Sequence, residues 1–524
     1  MEQRVEPTVR RSDRWPVCPL DLRLLLLLPA VKLLIHLLTA ARYGYFRDEL
    51  YFLDCARHLD WGYVDCAPLI AVYAKIALLL GGSLPALRSL AALAGAGRVA
   101  LTMLLARELG GARFAQGLAG LCALAAPIYL GVDSILTMNG FESLFWMGCI
   151  YFFIRIVRTG DSRLWIWFGV LAGLGLENKH SMLFFGTAVV AGLLLSRERR
   201  ELSKRWIWLA GGVALLIFLP NVIWQIRHGF PTLEDLDNVR RSGKNVVLSP
   251  LEFLGQQVLL LHPALFPIWF GGLVSFLVGR GSRVRVLGWI YLVLLAMMIA
   301  AKAKNYYLTP IYPMLFASGA VAAEGWLARR GWSHGRLWPK AVIAAYVAAA
   351  GAILVPAILP FLPPEELLAY QRRLGLIPPK TEVRHEGPLD QRLGDQFGWE
   401  ELVADVAKIY HSLPPEERAR TGIFASNYGE AGALNLFGPA LGLPAPICAH
   451  QNHFYWGPPK PEPENLIWLQ WDRQGVEDHC RSVEKAGEHF HPWGMAEENR
   501  PIYLCRGLRH TLADYWVPDF KHWN

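Results

Sequence analysis

Arg47-Asp48-Glu49, inside the run from Tyr43 to Tyr51, follows almost directly on a long apolar stretch, Leu20 to Ala40. An acidic pair beside hydrocarbon is costly to place unless it pairs, binds a metal or does chemistry. Further ionisable groups interrupt the apolar sequence at Asp133, Glu142, Lys179, Arg227, His228, His262, Lys302 and Lys304. A carboxylate within hydrogen-bond reach of a hydroxyl can take its proton, and Asp48 or Glu49 is the acid placed to do so. Lysine beside a leaving phosphate neutralises the charge that grows in the transition state, the part open to Lys179, Lys302 and Lys304. Acids and cations together suit a reaction between an anionic lipid-linked substrate and a neutral hydroxyl. A single displacement of that kind inverts the reacting carbon and needs one base.

The elements that must position these groups are mostly membrane helices. The chain has 524 residues, 53% of them hydrophobic and 18% charged, with 20 Trp. That is too apolar for a soluble protein with one core. Apolar blocks of roughly twenty residues, each able to cross ~30 Å of hydrocarbon, run from Leu20 to about Leu362. We expect about eleven spans, near 20–40, 85–106, 114–131, 139–157, 163–178, 180–196, 206–224, 253–279, 284–301, 305–327 and 340–361. Leu20–Ala40 has a basic leader like a signal peptide, yet the spans that follow mark it as a retained first helix. Basic clusters at Arg10/Arg11/Arg14, Arg107/Arg113, Arg155/Arg158/Arg163, Arg197–Arg205, Arg280/Arg283/Arg285 and Arg329/Arg330/Arg336 place those connections in the cytoplasm. The N-terminus (1–19) is then inside, and an odd span count puts the C-terminal part outside. The net charge of +8 lies mainly in these short connections and does not point to nucleic acid. Segment 41–84 becomes a long external loop whose apolar part, Pro68 to Leu80, is too short to cross and lies along the interface. The charged stretch from His228 to Ser249 reads as a second long external loop, suited to a lid. His262, before Pro263, reads as a hydrogen-bonded structural residue.

Beyond Pro363 the polarity changes, and 363–524 reads as a small soluble α/β domain. Strands are expected at Thr421–Ser426, Leu466–Trp471 and Arg500–Cys505, with an amphipathic helix from Gly398 to His411. Asn427-Tyr428-Gly429-Glu430 reads as a turn into a helix, a place where an acceptor could bind. Eight Cys are too few for a disulfide scaffold. Cys55 and Cys66 share the first external loop and can pair in an oxidising compartment. Cys448, His450 and His453 with Cys480 are metal-type residues without tight ligand spacing, so no metal or other cofactor is assigned.

Arg47-Asp48-Glu49-Leu50-Tyr51 with Ala67-Pro68-Leu69 resembles the protein O-mannosyltransferase and aminoarabinose-transferase superfamily. Thr137-Met138-Asn139-Gly140-Phe141-Glu142, Leu176-Glu177-Asn178-Lys179-His180 and Asn305-Tyr306-Tyr307-Leu308-Thr309-Pro310-Ile311-Tyr312-Pro313 are similar too. Over most of 20–330 the chain resembles bacterial family 39 glycosyltransferases of the GT-C fold. The resemblance implies a multi-span helical membrane enzyme of the bacterial inner membrane, using a polyprenyl-phosphate sugar donor and a protein, lipid or glycan hydroxyl acceptor. It implies an external active site (20–362) with Asp48 as base. It also implies a second acid among the positions of Asp133, Asn139 and Glu142, where Glu142 is favoured. Arg47, Lys179, His180, Tyr306 and Tyr307 complete the expected substrate- and phosphate-binding set. Family members often carry Arg before the aromatic pair where this chain has Asn305, which leaves Lys302 and Lys304 as substitutes.

A transporter or lipid-binding protein using the same charges for recognition is the alternative. Such a protein is expected to show paired half-repeats and helices broken near the midplane. Here the polar groups gather near one expected face, which favours the enzyme.

Overall fold

The computed structural model describes residues 17–279, 284–332, 337–377, 380, 382–383 and 386–523. Arg10, Arg11, Arg14, Arg280, Arg283 and Arg336 of the basic clusters lie outside them. The chain divides into two compact units. The first comprises Met1–Ala40, Arg88–Val222 and Val247–Leu359; the second comprises Ala41–Leu87, Ile223–Val246 and Pro360–Asn524.

The first unit is built from apolar helices. Leu84–Glu108, Met138–Thr159, Arg205–Arg227 and Trp338–Ile358 are long and apolar enough to cross a membrane. Pro250–Leu261 and Pro263–Val278 pass the same test together but are bent by 91°. The single span expected over 253–279 is therefore corrected to a broken pair. His262 lies at the break with φ +79°, and its Nδ1 accepts from the Ala264 N–H, meeting a polar need that the break creates. The stretch expected at 114–131 is likewise broken, into Arg113–Ala125 and Pro127–Val132, because Pro127 cannot donate to the helix ladder. Asn305–Ile311 forms a 3₁₀ turn ahead of helix Tyr312–Arg329.

A charge network lies inside this unit. Lys32 Nζ is 2.8 Å from Asp133 Oδ2, and Arg98 donates to the same oxygen; all three side chains have no solvent exposure. Arg98 also donates to the Gly140 carbonyl (3.4 Å) and lies over the Tyr129 ring (4.1 Å). Asp133 is thus committed to two cations. Buried charges are tolerated because they are paired, and removing one member of such a set costs about 3–5 kcal/mol.

The second unit carries a four-stranded sheet in the order β1-β2-β4-β3. Its strands are β1 (Thr421–Phe424), β2 (Asn465–Leu469), β3 (Cys480–Glu488) and β4 (Pro501–Leu508). β1 and β2 run parallel, and the other two pairs are antiparallel. Helix Trp399–Ser412 covers the sheet with Leu402, Val403 and Val406, which share a core with Ile423, Ile467 and Leu504. β3 escapes a reading by apolar pattern, since Cys480–Glu488 is mostly solvent-facing on the sheet edge. The stretch expected as an open loop after His228 contains a helix, Pro231–Ser242, begun by a proline at its first position. Cys480 and Cys505 form a disulfide across the β3–β4 pair, while Cys55 and Cys66 are free and buried. That corrects the pairing expected in the first loop and removes Cys480 from the metal-type set. No group of three or more metal-type side chains gathers among the described residues.

Candidate active site

In the second unit, Arg47 opens helix Arg47–Arg57, so Asp48 and Glu49 fall in its first turn. There the exposed N–H groups favour carboxylates. Glu49 uses this directly: its Oε2 accepts from the Phe46 N–H at 2.9 Å, and the residue is fully buried. Glu49, expected among the catalytic acids, thus caps its own helix. Asp48 is half-buried and its Oδ1 accepts from the Tyr428 hydroxyl at 2.9 Å. Arg47 lies 2.9 Å from Glu497, 3.8 Å from Glu498 and 3.9 Å from Asp395. Arg47, expected as a phosphate contact, therefore has three acids around its guanidinium.

The same helix places further polar groups against its neighbours. Asp54 accepts from Arg57 (2.7 Å), Asn435 (2.8 Å) and His453 Nε2 (3.1 Å). Tyr51 donates to Asp65 at 2.9 Å. Burial, and then the nearby charge of Asp235, push the Asp65 carboxyl up to about 7.

In the first unit, the break after helix Trp165–Asn178 presents Lys179 to the start of helix Met138–Thr159. Lys179 Nζ donates to Asn139 Oδ1 (2.8 Å) and Glu142 Oε2 (3.1 Å). Glu142 Oε1 accepts from Ser181, so both carboxylate oxygens are engaged. Glu142 is the fifth residue of its helix, one turn past the position at which an acid would cap it. Its geometry suits orienting Lys179 better than taking a proton. The Tyr307 and Tyr306 rings stand 4.3 Å and 5.8 Å from Lys179 Nζ, close enough for attraction between ammonium and ring face. Asn139, Glu142, Lys179, Tyr306 and Tyr307, widely spaced in sequence, are thus brought together. Ser181 joins them and was not singled out from the sequence.

His180 turns away to Asn221, with Nε2 at 3.3 Å from Oδ1. Lys302 is exposed on a left-handed backbone (φ +49°) and makes no ion pair among the described residues. Lys304 is half-buried at the start of the 3₁₀ turn. An apolar groove of about 640 Å³ runs along helices Trp165–Asn178, Met182–Leu194 and Arg205–Arg227, lined by Phe168, Leu176, Met182, Val190, Leu194 and Ile207. Leu176 and Met182 of the groove lie three residues to either side of Lys179 in the chain, while the ammonium itself faces Asn139, Glu142 and the two tyrosine rings.

The family model described as dolichyl-phosphate-mannose-protein mannosyltransferase matches residues 65–224. The fold is the GT-C fold, and over the matched residues the chain is similar to glycosyltransferases. Among individual proteins, the chain is similar to ArnT from Cupriavidus metallidurans, solved bound to undecaprenyl phosphate. The TM-score is 0.59 at 16% identity, covering 93% of this chain and 98% of that one. The apo form of the same protein gives 0.59, covering 92% and 97%. Lipid A galacturonosyltransferase RgtD of Rhizobium johnstonii is 24% identical over 415 residues, 74% of this chain and 83% of that protein.

Proposed function

We propose that this chain is an integral-membrane glycosyltransferase that passes a sugar from a polyprenyl-phosphate donor to a hydroxyl acceptor at the external face. One observation carries the reading: the Lys179 ammonium is held by Glu142 and Asn139 beside two tyrosine rings, in the same unit as an apolar groove lined by Leu176 and Met182. A donor with an isoprenoid tail and a phosphate head needs this pairing of apolar surface and cation. Hydrocarbon in the groove gains roughly 25 cal/mol for each Å² removed from water. The phosphate gains a charge-assisted contact that strengthens as the leaving group develops charge.

In the step itself, the acceptor oxygen attacks the anomeric carbon as the bond from that carbon to the phosphate oxygen breaks. Polyprenyl phosphate leaves with the bonding electron pair, the acceptor proton passes to Asp48, and the anomeric configuration inverts. Asp48 is half-buried with Oδ2 taking no hydrogen bond among the described residues, which supports its choice over Glu49. Lys302 and Lys304 are secondary phosphate contacts. A count of about eleven spans takes in helices shorter than membrane length, with 1–19 in the cytoplasm, 20–362 as the membrane domain and 363–524 outside. ArnT was solved with undecaprenyl phosphate, and the name of RgtD ties that relative to lipid A. Undecaprenyl phosphate is therefore the carrier, and a lipid A-type glycolipid the first acceptor, to be tried.

The direct test is undecaprenyl phosphate binding to the purified full chain, wild type beside Lys179→Met. A lost charge-assisted contact of about 1.5–3 kcal/mol weakens binding by roughly 10- to 150-fold. Equal binding by both proteins would remove Lys179 from the phosphate site.

A further inference from the structure

The turn Asn427-Tyr428-Gly429-Glu430 belongs to the soluble part of the chain, yet it is built against the helix that carries Asp48. Asn427 caps helix Tyr428–Phe437, accepting from the Gly429 (2.8 Å) and Glu430 (3.0 Å) N–H groups, while Glu430 returns to the Asn427 N–H. A side chain at position 429 would meet Arg47 Cγ at 2.5 Å, and one at 432 would meet the Leu50 backbone at 2.8 Å. Glycine at both positions lets the two helices approach at backbone distance. The approach delivers Tyr428. Its ring packs on Tyr51 and His450, each at 4.9 Å between centroids, and the Arg47 guanidinium lies 5.6 Å from it. Its N–H donates to His450 Nδ1 at 3.3 Å. With the ring held on three sides, the hydroxyl has one place to go, Asp48 Oδ1 at 2.9 Å.

We infer that Tyr428 is a positioning residue for Asp48, which makes the C-terminal segment a working part of the transferase rather than an appendage. The inference rests on Asp48 being the base. A carboxylate in the first turn of a helix can rotate about its side-chain bonds. One oxygen pinned by a phenol fixes the plane of the carboxylate and leaves Oδ2 to receive the acceptor proton. Misplacement of a reacting group by about 1 Å can cost 10²-fold in rate, which is the scale at which such a contact acts.

The experiment is a comparison of wild type, Tyr428→Phe, Asp48→Asn and the double variant, as purified full chains. Undecaprenyl-phosphate-linked galacturonic acid, mannose and aminoarabinose serve as donors and lipid A as acceptor. Phenylalanine keeps the ring contacts and deletes only the hydroxyl. The expected result is kcat lower by about 10- to 100-fold, KM within about twofold, and an unchanged melting temperature. In the Asp48→Asn background the same change should cost nothing more, because the oxygen it positions no longer takes a proton. A para-amino-phenylalanine incorporated at Tyr428 restores a donor and should recover part of the lost kcat. Turnover of Tyr428→Phe equal to wild type, with Asp48→Asn inactive, would overturn the positioning role alone. So would a rise in KM at unchanged kcat. Full turnover by Asp48→Asn, or none by wild type with any donor, would instead defeat the underlying reading.

Discussion

Asp65→Asn should make the protein more stable at pH 8 and leave it nearly unchanged at low pH. The Asp65 carboxyl, which accepts from Tyr51, is raised from 3.8 to about 7 by burial and then by Asp235. The folded value exceeds the unfolded one, so the folded state holds the proton more tightly. Its contribution to stability is fully present below pH ~4, is lost as pH rises toward 7, and stays lost above. A difference of about three pH units corresponds to roughly 4 kcal/mol, at 1.36 kcal/mol per unit. Asp65 keeps some contact with solvent, which screens the charge and lowers the expected gain at pH 8 to about 1–3 kcal/mol. Asparagine matches the shape, still accepts from Tyr51 and cannot ionise. For a domain of 150–250 residues, that gain moves the melting temperature by about 2–12 °C. Tryptophan fluorescence melts of both proteins in detergent, at pH 4 and pH 8, read it out. A gain of the same size at both pH values, or a loss at pH 8, would refute the electrostatic reasoning.

Other outcomes follow from the packing. Asp133→Asn leaves Lys32 and Arg98 without their shared acid, and the loss of about 3–5 kcal/mol should show as a collapse of folded protein on size exclusion in detergent. Gly432→Val drives a branched side chain into the Leu50 backbone; turnover should fall at least as far as in Tyr428→Phe, with a lower melting temperature besides. Reduction of Cys480–Cys505, which closes a loop across 25 residues, should lower stability by about 2–4 kcal/mol, read as a lower melting temperature with dithiothreitol. Cys480→Ser should remove that sensitivity to reductant.

Much of the helical layout is legible because apolar runs of membrane length report themselves. Helices Leu84–Glu108, Met138–Thr159, Arg205–Arg227 and Trp338–Ile358 fall within a few residues of the expected stretches. The break at His262 is not legible from apolarity, since Leu259–Leu261 and Phe266–Phe270 are equally apolar on both sides of it. Polarity hid β3 in the opposite way: an edge strand needs few apolar residues, so Arg481-Ser482-Val483-Glu484-Lys485 carries no strand pattern. At the site, Lys179 and Glu142 stand out as charges in apolar sequence, and the structure joins them with Tyr306 and Tyr307. What separates Asp48 from Glu49 is the direction of one side chain. Two adjacent acids in a first helical turn look alike in sequence, and only the contacts with the Phe46 N–H and Tyr428 tell them apart. Tyr428 itself lies 380 residues from Asp48, in a turn whose glycines give no hint of what they approach.

Sugar transfer from undecaprenyl-phosphate donors by the purified full chain, wild type beside Asp48→Asn, tests the central claim most directly. The expected result is turnover by wild type and a loss of 10²- to 10⁴-fold in the variant, the usual contribution of a general base, with undecaprenyl phosphate binding unchanged. Equal turnover by both proteins, or tight donor binding without transfer by either, would contradict it.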